Sequence, residues 1–183
     1  VDHKIGNYLV FFPSFQYLEQ VFEIYQDSWP QDKTMVQQRG MDDRAREGFL
    51  NAFVEKPSEI MIAFAVMGGI FAEGVDLPGS RLSGAIIVGV GLPQLSAERD
   101  LISRYYKERN GRGFEYAYQL PGLNRVMQAA GRVIRTETDR GFVLLLDDRF
   151  LHSRYRDQYP AEWQHYRKVG SPTEAAEIIT KFW

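Results

Sequence analysis

The sequence predicts an α/β fold: a mainly parallel sheet wrapped by helices on both faces. Three observations carry that expectation. Apolar runs of strand length alternate with segments whose apolar residues recur at helical spacing. Those runs are nearly continuous rather than alternating, as in strands buried on both faces. Strands separated by helices, in turn, imply parallel neighbours joined by crossovers.

Tyr8-Leu-Val-Phe-Phe12 is the first such run, closed by Pro13. Ser14 opens a helix with Phe15, Leu18, Phe22 and Tyr25 near helical spacing; its hydroxyl can satisfy a first-turn N–H. Lys33 to Gln38 reads as a second strand, and Asp42 as the cap of a helix carrying Ala45, Phe49 and Phe53 on one face. Ile60 to Met67 is expected to be the central strand, followed by a Gly-rich loop and a strand at Ala85 to Val88. A helix from about Ala97 to Arg109 stops at Asn110-Gly111, a common C-terminal signal. The next helix is expected from Pro121 to about Ile134, before a last buried strand at Phe142 to Leu146. The tail holds a Trp163-centred segment and a short helix from Thr173, with that hydroxyl as the expected cap and Glu174 in the first turn.

A chain of 183 residues has the length of one domain of roughly 150 residues with a small appendage. The 22 Lys+Arg and 24 Asp+Glu leave a net charge of −2, which excludes a globally basic nucleic-acid binder but not a local basic face. No cysteine is present, so this chain holds no disulfide, Cys-ligated zinc, iron–sulfur cluster or catalytic thiol. His3, His152 and His165 lack metal-ligand spacing, and no metal site is expected. No apolar run approaches the roughly 18 residues of a membrane span. A cytoplasmic setting is the expectation, and the absence of an initiator Met suggests a piece of something longer.

In such a sheet, ligands sit beyond the C-terminal strand ends, here the loops after Phe12, Met67, Val90 and Leu146. Two stretches carry chemistry. Asn124-Arg-Val-Met-Gln-Ala-Ala-Gly-Arg-Val-Ile-Arg135, read as helix, puts Leu123, Met127, Ala130 and Ile134 on a packing face and Gln128, Arg132 and Arg135 on the opposite stripe. Two arginines and a glutamine so arranged can grip a polyphosphate. A solvated amphipathic face would carry the same residues, but should offer acids at i±4, where only Asp139 is available. Gly131 costs about 1 kcal/mol of helix stability relative to Ala, which suggests a close approach to that turn. The second stretch, Gly68-Gly-Ile-Phe-Ala-Glu-Gly-Val-Asp-Leu-Pro-Gly79, leaves a strand end with Glu73 and Asp76 able to accept from a ribose hydroxyl or an arginine. A Gly/Pro turn with solvated acids is the alternative. Neither a Walker A motif nor an Asp-Glu-x-His box occurs in the chain, so the parts that hold a β-phosphate and Mg²⁺ are missing from it.

Together these stretches resemble motifs V and VI of the XPD/DinG family of superfamily 2 helicases. Glu73-Gly-Val-Asp-Leu-Pro78 is similar to its E-G-x-D motif V, and Gln128-Ala-Ala-Gly-Arg-Val-Ile-Arg135 to its Q-x-x-G-R-x-x-R motif VI. Tyr8 to Ser14 resembles motif IV, and Phe114 to Pro121 the stretch leading into motif VI. Motif IV falls at about 8–16, motif V at 68–79 and motif VI at 124–135.

The resemblance implies that 1–183 is a second RecA-like three-layer α/β/α motor domain of the P-loop NTPase type without its P-loop, 151–183 being its helical tail. In such helicases ATP, with Mg²⁺, lies between two RecA-like domains. The first, absent from this chain, supplies Walker A and B and in many members an iron–sulfur cluster. By that likeness Arg135 is the arginine finger, Arg132 a γ-phosphate contact and Gln128 a partner for phosphate or water. Asp76 would bind ribose, with Glu73, Gly74 and Gly131 shaping the nucleotide edge. Ser14, with the N–H groups of Phe15 and Gln16, would cradle a phosphate of single-stranded DNA, and Phe71 would face the strand; an ordinary N-cap is the alternative for Ser14. Family members translocate 5′→3′. The implied partners are ATP, single-stranded DNA and the first RecA-like domain; the chain alone is expected to be inactive. Rival readings are a self-contained nucleotide-binding enzyme and a non-catalytic RecA-like interaction module.

Overall fold

A computed structural model describes residues 4–73, 77, 79–134 and 137–183, apart from the side chains of residues 72 and 73. Five strands form one sheet: β1 (Asn7–Phe12), β2 (Lys33–Val36), β3 (Met61–Val66), β4 (Gly84–Val88) and β5 (Phe142–Leu146). Their order is β2-β3-β1-β4-β5, and every neighbouring pair is parallel. The middle strand is thus β1, not the Ile60–Met67 run expected there. The register pairs Phe11 with Ala65 and with Ile87.

Alternation along the strands divides the core. Leu9, Phe11, Met61, Ala63 and Ala65 face one side, while Phe12, Ile62, Phe64 and Val66 face the other, as the two-residue period requires. The first face is covered by α2 (Asp43–Asn51), the one-turn α3 (Ile70–Glu73) and α5 (Leu120–Ala130) through Phe49, Phe71, Leu123 and Val126. The second is covered by α1 (Phe15–Ser28) through Leu18, Phe22 and Tyr25. The expected three-layer α/β/α architecture is therefore the observed one. The edge strand β5 is only partly covered, and Leu146 is exposed, so the last strand is not the buried one its composition suggested.

Caps follow the sequence closely. Ser14, extended at φ −156°, accepts from the Tyr17 N–H with its hydroxyl, and Asp42 accepts from the Ala45 N–H. Helix α4 (Ala97–Asn110) ends on Gly111 at φ +74°, a left-handed conformation that glycine adopts without a Cβ penalty. The tail helix α7 (Pro172–Phe182) is capped by Ser171, whose hydroxyl accepts from the Glu174 N–H. Thr173 is not the cap, because Pro172 suits the first helical position and moves the start two residues earlier than expected.

Two departures shape α5. A π-helical turn at Glu115–Gln119 leads directly into it, and the Leu120 N–H reaches back to the Glu115 carbonyl. Pro121 explains the bulge: it has no N–H for the carbonyl four residues back and its ring crowds that group. The carbonyl concerned, on Ala117, accepts instead from Arg99 Nη1 at 3.3 Å. At the other end the helix stops at Ala130, not at Ile134. The Arg132 and Val133 N–H groups bond to Ala129 and Ala130, three residues back, at 3.2 and 3.1 Å, a tightened last turn. Gly131, the weakest helix former of the segment, stands at this end; among the described residues a Cβ there would meet the Met127 and Gln128 carbonyls of its own helix. Gly131 therefore marks the place where the helix stops. The packing face correspondingly uses Leu123, Val126, Ala130 and Val133, while Ile134 is exposed.

Candidate functional site

The loops leaving β1, β3 and β4 converge, with the end of β2, on a cavity of about 470 Å³ at the C-terminal edge of the sheet. Pro13, Ser14, Phe15 and Gln16 form one wall. Val66 and Met67 form the floor, Leu92 and Gln94 a second wall, and Arg39 and Arg125 supply the charge. Three of the four strand-end loops singled out by the sequence thus meet. The fourth, after β5, is a structural turn in which Asp147 caps the 3₁₀ turn Asp148–Leu151 and pairs with Arg149 at 2.7 Å. Hydrogen bonding to the Arg149 guanidinium holds the Asp147 carboxyl below its ordinary range, against the opposing effect of burial.

Local sequence explains how each wall is held. Pro13 ends β1 and the Ser14 cap starts α1, so the first-turn N–H groups of α1 stand at the strand end. The Phe15 ring lies 4.7 Å below the Arg39 guanidinium, which also pairs with Glu19 at 3.1 Å. Gln37 is buried just past β2; its carboxamide oxygen accepts from the Val66 N–H at 2.9 Å, tying the end of β2 to the end of β3. Arg125 reaches across from α5, with Nη1 3.5 Å from the Gly91 carbonyl. Its side chain lies against Gly68 (φ +70°), where a Cβ would come within 2.9 Å of Arg125 Nε.

Helix α5 connects this edge to the opposite one. Its start is pressed against the β4 exit: a Cβ on Gly122 would lie 2.7 Å from the Val90 carbonyl oxygen. Beyond its end, Val133 sits beside Gly141 and Ser83, which precede β5 and β4. Arg125 and Arg132 are thus about 10 Å apart along the helix axis, near opposite ends of the strands. Gln128 is exposed and Arg132 partly buried, with Arg132 Nε donating to the Gln128 carbonyl at 3.2 Å. The Arg132 side chain thus folds back onto the Gln128 backbone beside Gly131, Gln128 still within α5 and Arg132 just past its end.

The remaining sequence-derived positions divide clearly. Arg135, Gly74 and Asp76 lie outside the described residues, and Glu73 is described only as the last residue of α3. Ser14, Phe15 and Gln16 line the cavity together. Phe71 does not face a ligand: it is fully buried, its ring stacked 4.2 Å from that of Phe49. The one-turn α3 folds Phe71 into the core and leaves Ile70 at the surface. Arg125 and Arg39 were not singled out by the sequence. Arg125 sits three residues before Gln128, so extending the polar stripe back one turn would have found it. Arg39 carried no comparable signal.

An all-parallel sheet with this order, helices on both faces and ligand-sized space at the strand ends defines a RecA-like α/β domain. The apo form of XPD superposes with a TM-score of 0.65 at 24% identity, over 83% of this chain and 30% of that one. The C-terminal domain of the DEAD-box protein Dbp5 superposes with a TM-score of 0.51 at 15% identity, over 97% of this chain and 83% of that one. Both likenesses show the fold. The chain belongs to the helicase C-terminal domain family, which it matches over residues 1–166, and within it to the XPD/DinG type of superfamily 2. A regulator of telomere elongation helicase 1 homolog from Culex quinquefasciatus is 31% identical over 185 residues, which is 92% of this chain and 19% of that protein. A probable ATP-dependent helicase from Methanocaldococcus jannaschii is 33% identical over 159 residues, 79% of this chain and 24% of that protein. The chain thus spans about a fifth to a quarter of the length of these relatives.

Proposed function

We propose that this chain is the second motor lobe of an ATP-dependent 5′→3′ DNA helicase, completing an ATP site whose Walker A and B elements lie in a first RecA-like lobe. Arg135 acts as the arginine finger and Arg132 as a second γ-phosphate contact, with Gln128 orienting a phosphate oxygen or the attacking water. Asp76 holds the ribose, and Glu73, Gly74 and Gly131 shape the nucleotide edge. Guanidinium groups suit this work because they stay charged and present fixed, paired donors to phosphate oxygens. The sequence holds no Walker A motif and no Asp-Glu-x-His box, so the Mg²⁺ ligands are assigned to the first lobe. The first lobe carries those ligands and any iron–sulfur cluster. DNA passes the strand-end cavity and is held by its backbone at Ser14, Phe15 and Gln16, where exposed N–H groups of α1 suit an anion.

The observation that carries this reading is the division of labour on α5. Leu123, Val126 and Ala130 anchor the helix in the core, while Gln128 and Arg132 stand together on its outer side at the helix end. This exposure supports reading the stretch that resembles motif VI as the one that meets a neighbouring lobe. The test compares ATP hydrolysis by the intact protein with that by this chain alone, each with and without single-stranded DNA. The proposal expects DNA-stimulated turnover by the intact protein and none by the isolated chain. Turnover by the isolated chain would instead require a complete phosphate site within these 183 residues and would overturn it.

A further inference from the structure

The strand-end cavity has a charge pattern that the rest of the chain lacks. The protein carries 24 acidic and 22 basic residues, yet among the described residues no Asp or Glu lines this cavity, whereas two arginines do. Those two are not equivalent. Arg39 is exposed, paired with Glu19 at 3.1 Å and laid over the Phe15 ring. Arg125 is partly buried, and among the described residues it has no carboxylate within ion-pair distance. Its one described hydrogen bond is a long one, 3.5 Å to the Gly91 carbonyl. A guanidinium has five N–H donors, so most of those on Arg125 remain for a ligand.

The setting keeps that guanidinium in place. Gly68 supplies a surface without a Cβ against which the side chain lies, and Gly122 lets α5 approach the β4 exit closely enough for Arg125 to reach the cavity. The loops after β1 and β4 add the uncharged polar side chains of Ser14, Gln16 and Gln94 around the same space. Fixed positive charge and neutral hydrogen-bonding groups, with Glu19 engaging the exposed Arg39 and no described acid paired with Arg125, describe a receptor for a phosphodiester.

We infer that Arg125 is a backbone-phosphate ligand of the bound nucleic acid, the principal fixed cation of the strand-end cavity, with Arg39 as its exposed second. This rests on the proposed nucleic-acid grip and adds to it a residue of the motif VI helix that serves the nucleic acid rather than the nucleotide. One helix then carries a backbone contact at Arg125 and, about one turn further along its axis, Gln128, with Arg132 just past its end, as the group that faces the nucleotide.

The test uses the intact helicase and fluorescence anisotropy with labelled oligothymidylate as the single-strand arm and a blunt duplex of equal length as the second arm, across a salt series. Arg125→Gln removes the charge at similar size, Arg125→Lys keeps the charge, and Gly68→Ala pushes the guanidinium aside. The expected result is an affinity loss of roughly tenfold for Arg125→Gln. Its log–log salt slope on the single strand should become shallower by about 0.7, the value for one lost phosphate contact. Arg125→Lys should keep the parent slope, and Gly68→Ala should follow Arg125→Gln. A loss confined to the single strand assigns the site to it; an equal loss on duplex makes it a general backbone contact. An unmodified protein that binds neither arm overturns the nucleic-acid reading itself. An unmodified protein that binds while Arg125→Gln retains both affinity and slope overturns the role of Arg125 alone. Thermal melting of each variant identifies losses caused by unfolding, and Arg125→Lys, which keeps the aliphatic packing, remains informative if Arg125→Gln is unstable.

Discussion

Truncating Phe71 to alanine should destabilise the fold and should not act as the loss of a ligand contact. The Phe71 side chain is fully buried, and its ring lies 4.2 Å from that of Phe49 at an interplanar angle of 30°. It joins the cluster that holds α2, α3 and α5 on the sheet. Removing a buried phenyl ring costs about 3–5 kcal/mol through lost transfer energy and the cavity left behind. With a close aromatic partner and a site roofed only by the four-residue α3, a value of about 4 kcal/mol is expected. In a chain of this length each kcal/mol lowers Tm by roughly 2–4 °C, which gives a drop of about 8–16 °C. Urea unfolding followed by far-UV circular dichroism measures the change through the midpoint at constant m-value. Phe71→Leu should lose much less, because most of the volume is kept. A loss below about 1 kcal/mol for Phe71→Ala, within the range of exposed substitutions, would refute the core assignment and return Phe71 to the ligand surface.

Other outcomes follow from particular contacts. Gly122→Ala sets about 1 kcal/mol of added helix propensity against a Cβ 2.7 Å from the Val90 carbonyl oxygen and 3.1 Å from the Leu92 nitrogen. Backbone atoms cannot yield cheaply, so a net loss of about 1–2 kcal/mol should appear in urea unfolding, and a stabilised variant would contradict the close approach. For Asp147, pairing with Arg149 depresses the folded-state pKa, so its contribution is present above the ordinary carboxyl value and is lost as pH falls through the folded one. Asp147→Asn should therefore be less stable than the parent at pH 7, by no more than about 1 kcal/mol for a partly exposed pair. The gap should close below about pH 4, and a gap unchanged between pH 7 and pH 3 would contradict the ion-pair account.

The sheet was legible because its signals are local and redundant. Five strand-length runs, the Ser14 and Asp42 caps and the Asn110-Gly111 stop each act within a turn of chain, and each formed near its expected place, although β2 ends at Val36 and β5 is only partly buried. What failed depends on neighbours. Strand order is invisible in a list of runs, so the most apolar run was taken as the middle, although β1 holds that place. The end of α5 was misplaced because Val133 and Ile134 continue an apolar pattern while the backbone is already tightening at Gly131. The π-helical turn needed the partnership of Pro121 with Arg99, 22 positions earlier in the chain. At the site, Gln128 and Arg132 were read from the sequence as chemistry, and the structure links them through the Arg132 Nε–Gln128 carbonyl bond. Phe71 was misread because one turn of α3 decides whether Ile70 or Phe71 points inward. Arg125 and Arg39 were missed because a cavity gathers residues from four strand ends, and no single stretch of sequence shows that these two side chains meet there.

The most direct test of the motor assignment is the rate of DNA-stimulated ATP hydrolysis by the intact helicase carrying Arg135→Ala. With a finger supplied from this lobe to a nucleotide held mainly by the other, kcat should fall by about 10³-fold or more, while the DNA concentration for half-maximal binding stays within a factor of about three. Turnover at the parent rate would mean that the guanidinium does not reach the transferring phosphoryl group, and the assignment of this chain as a catalytic second lobe would be wrong.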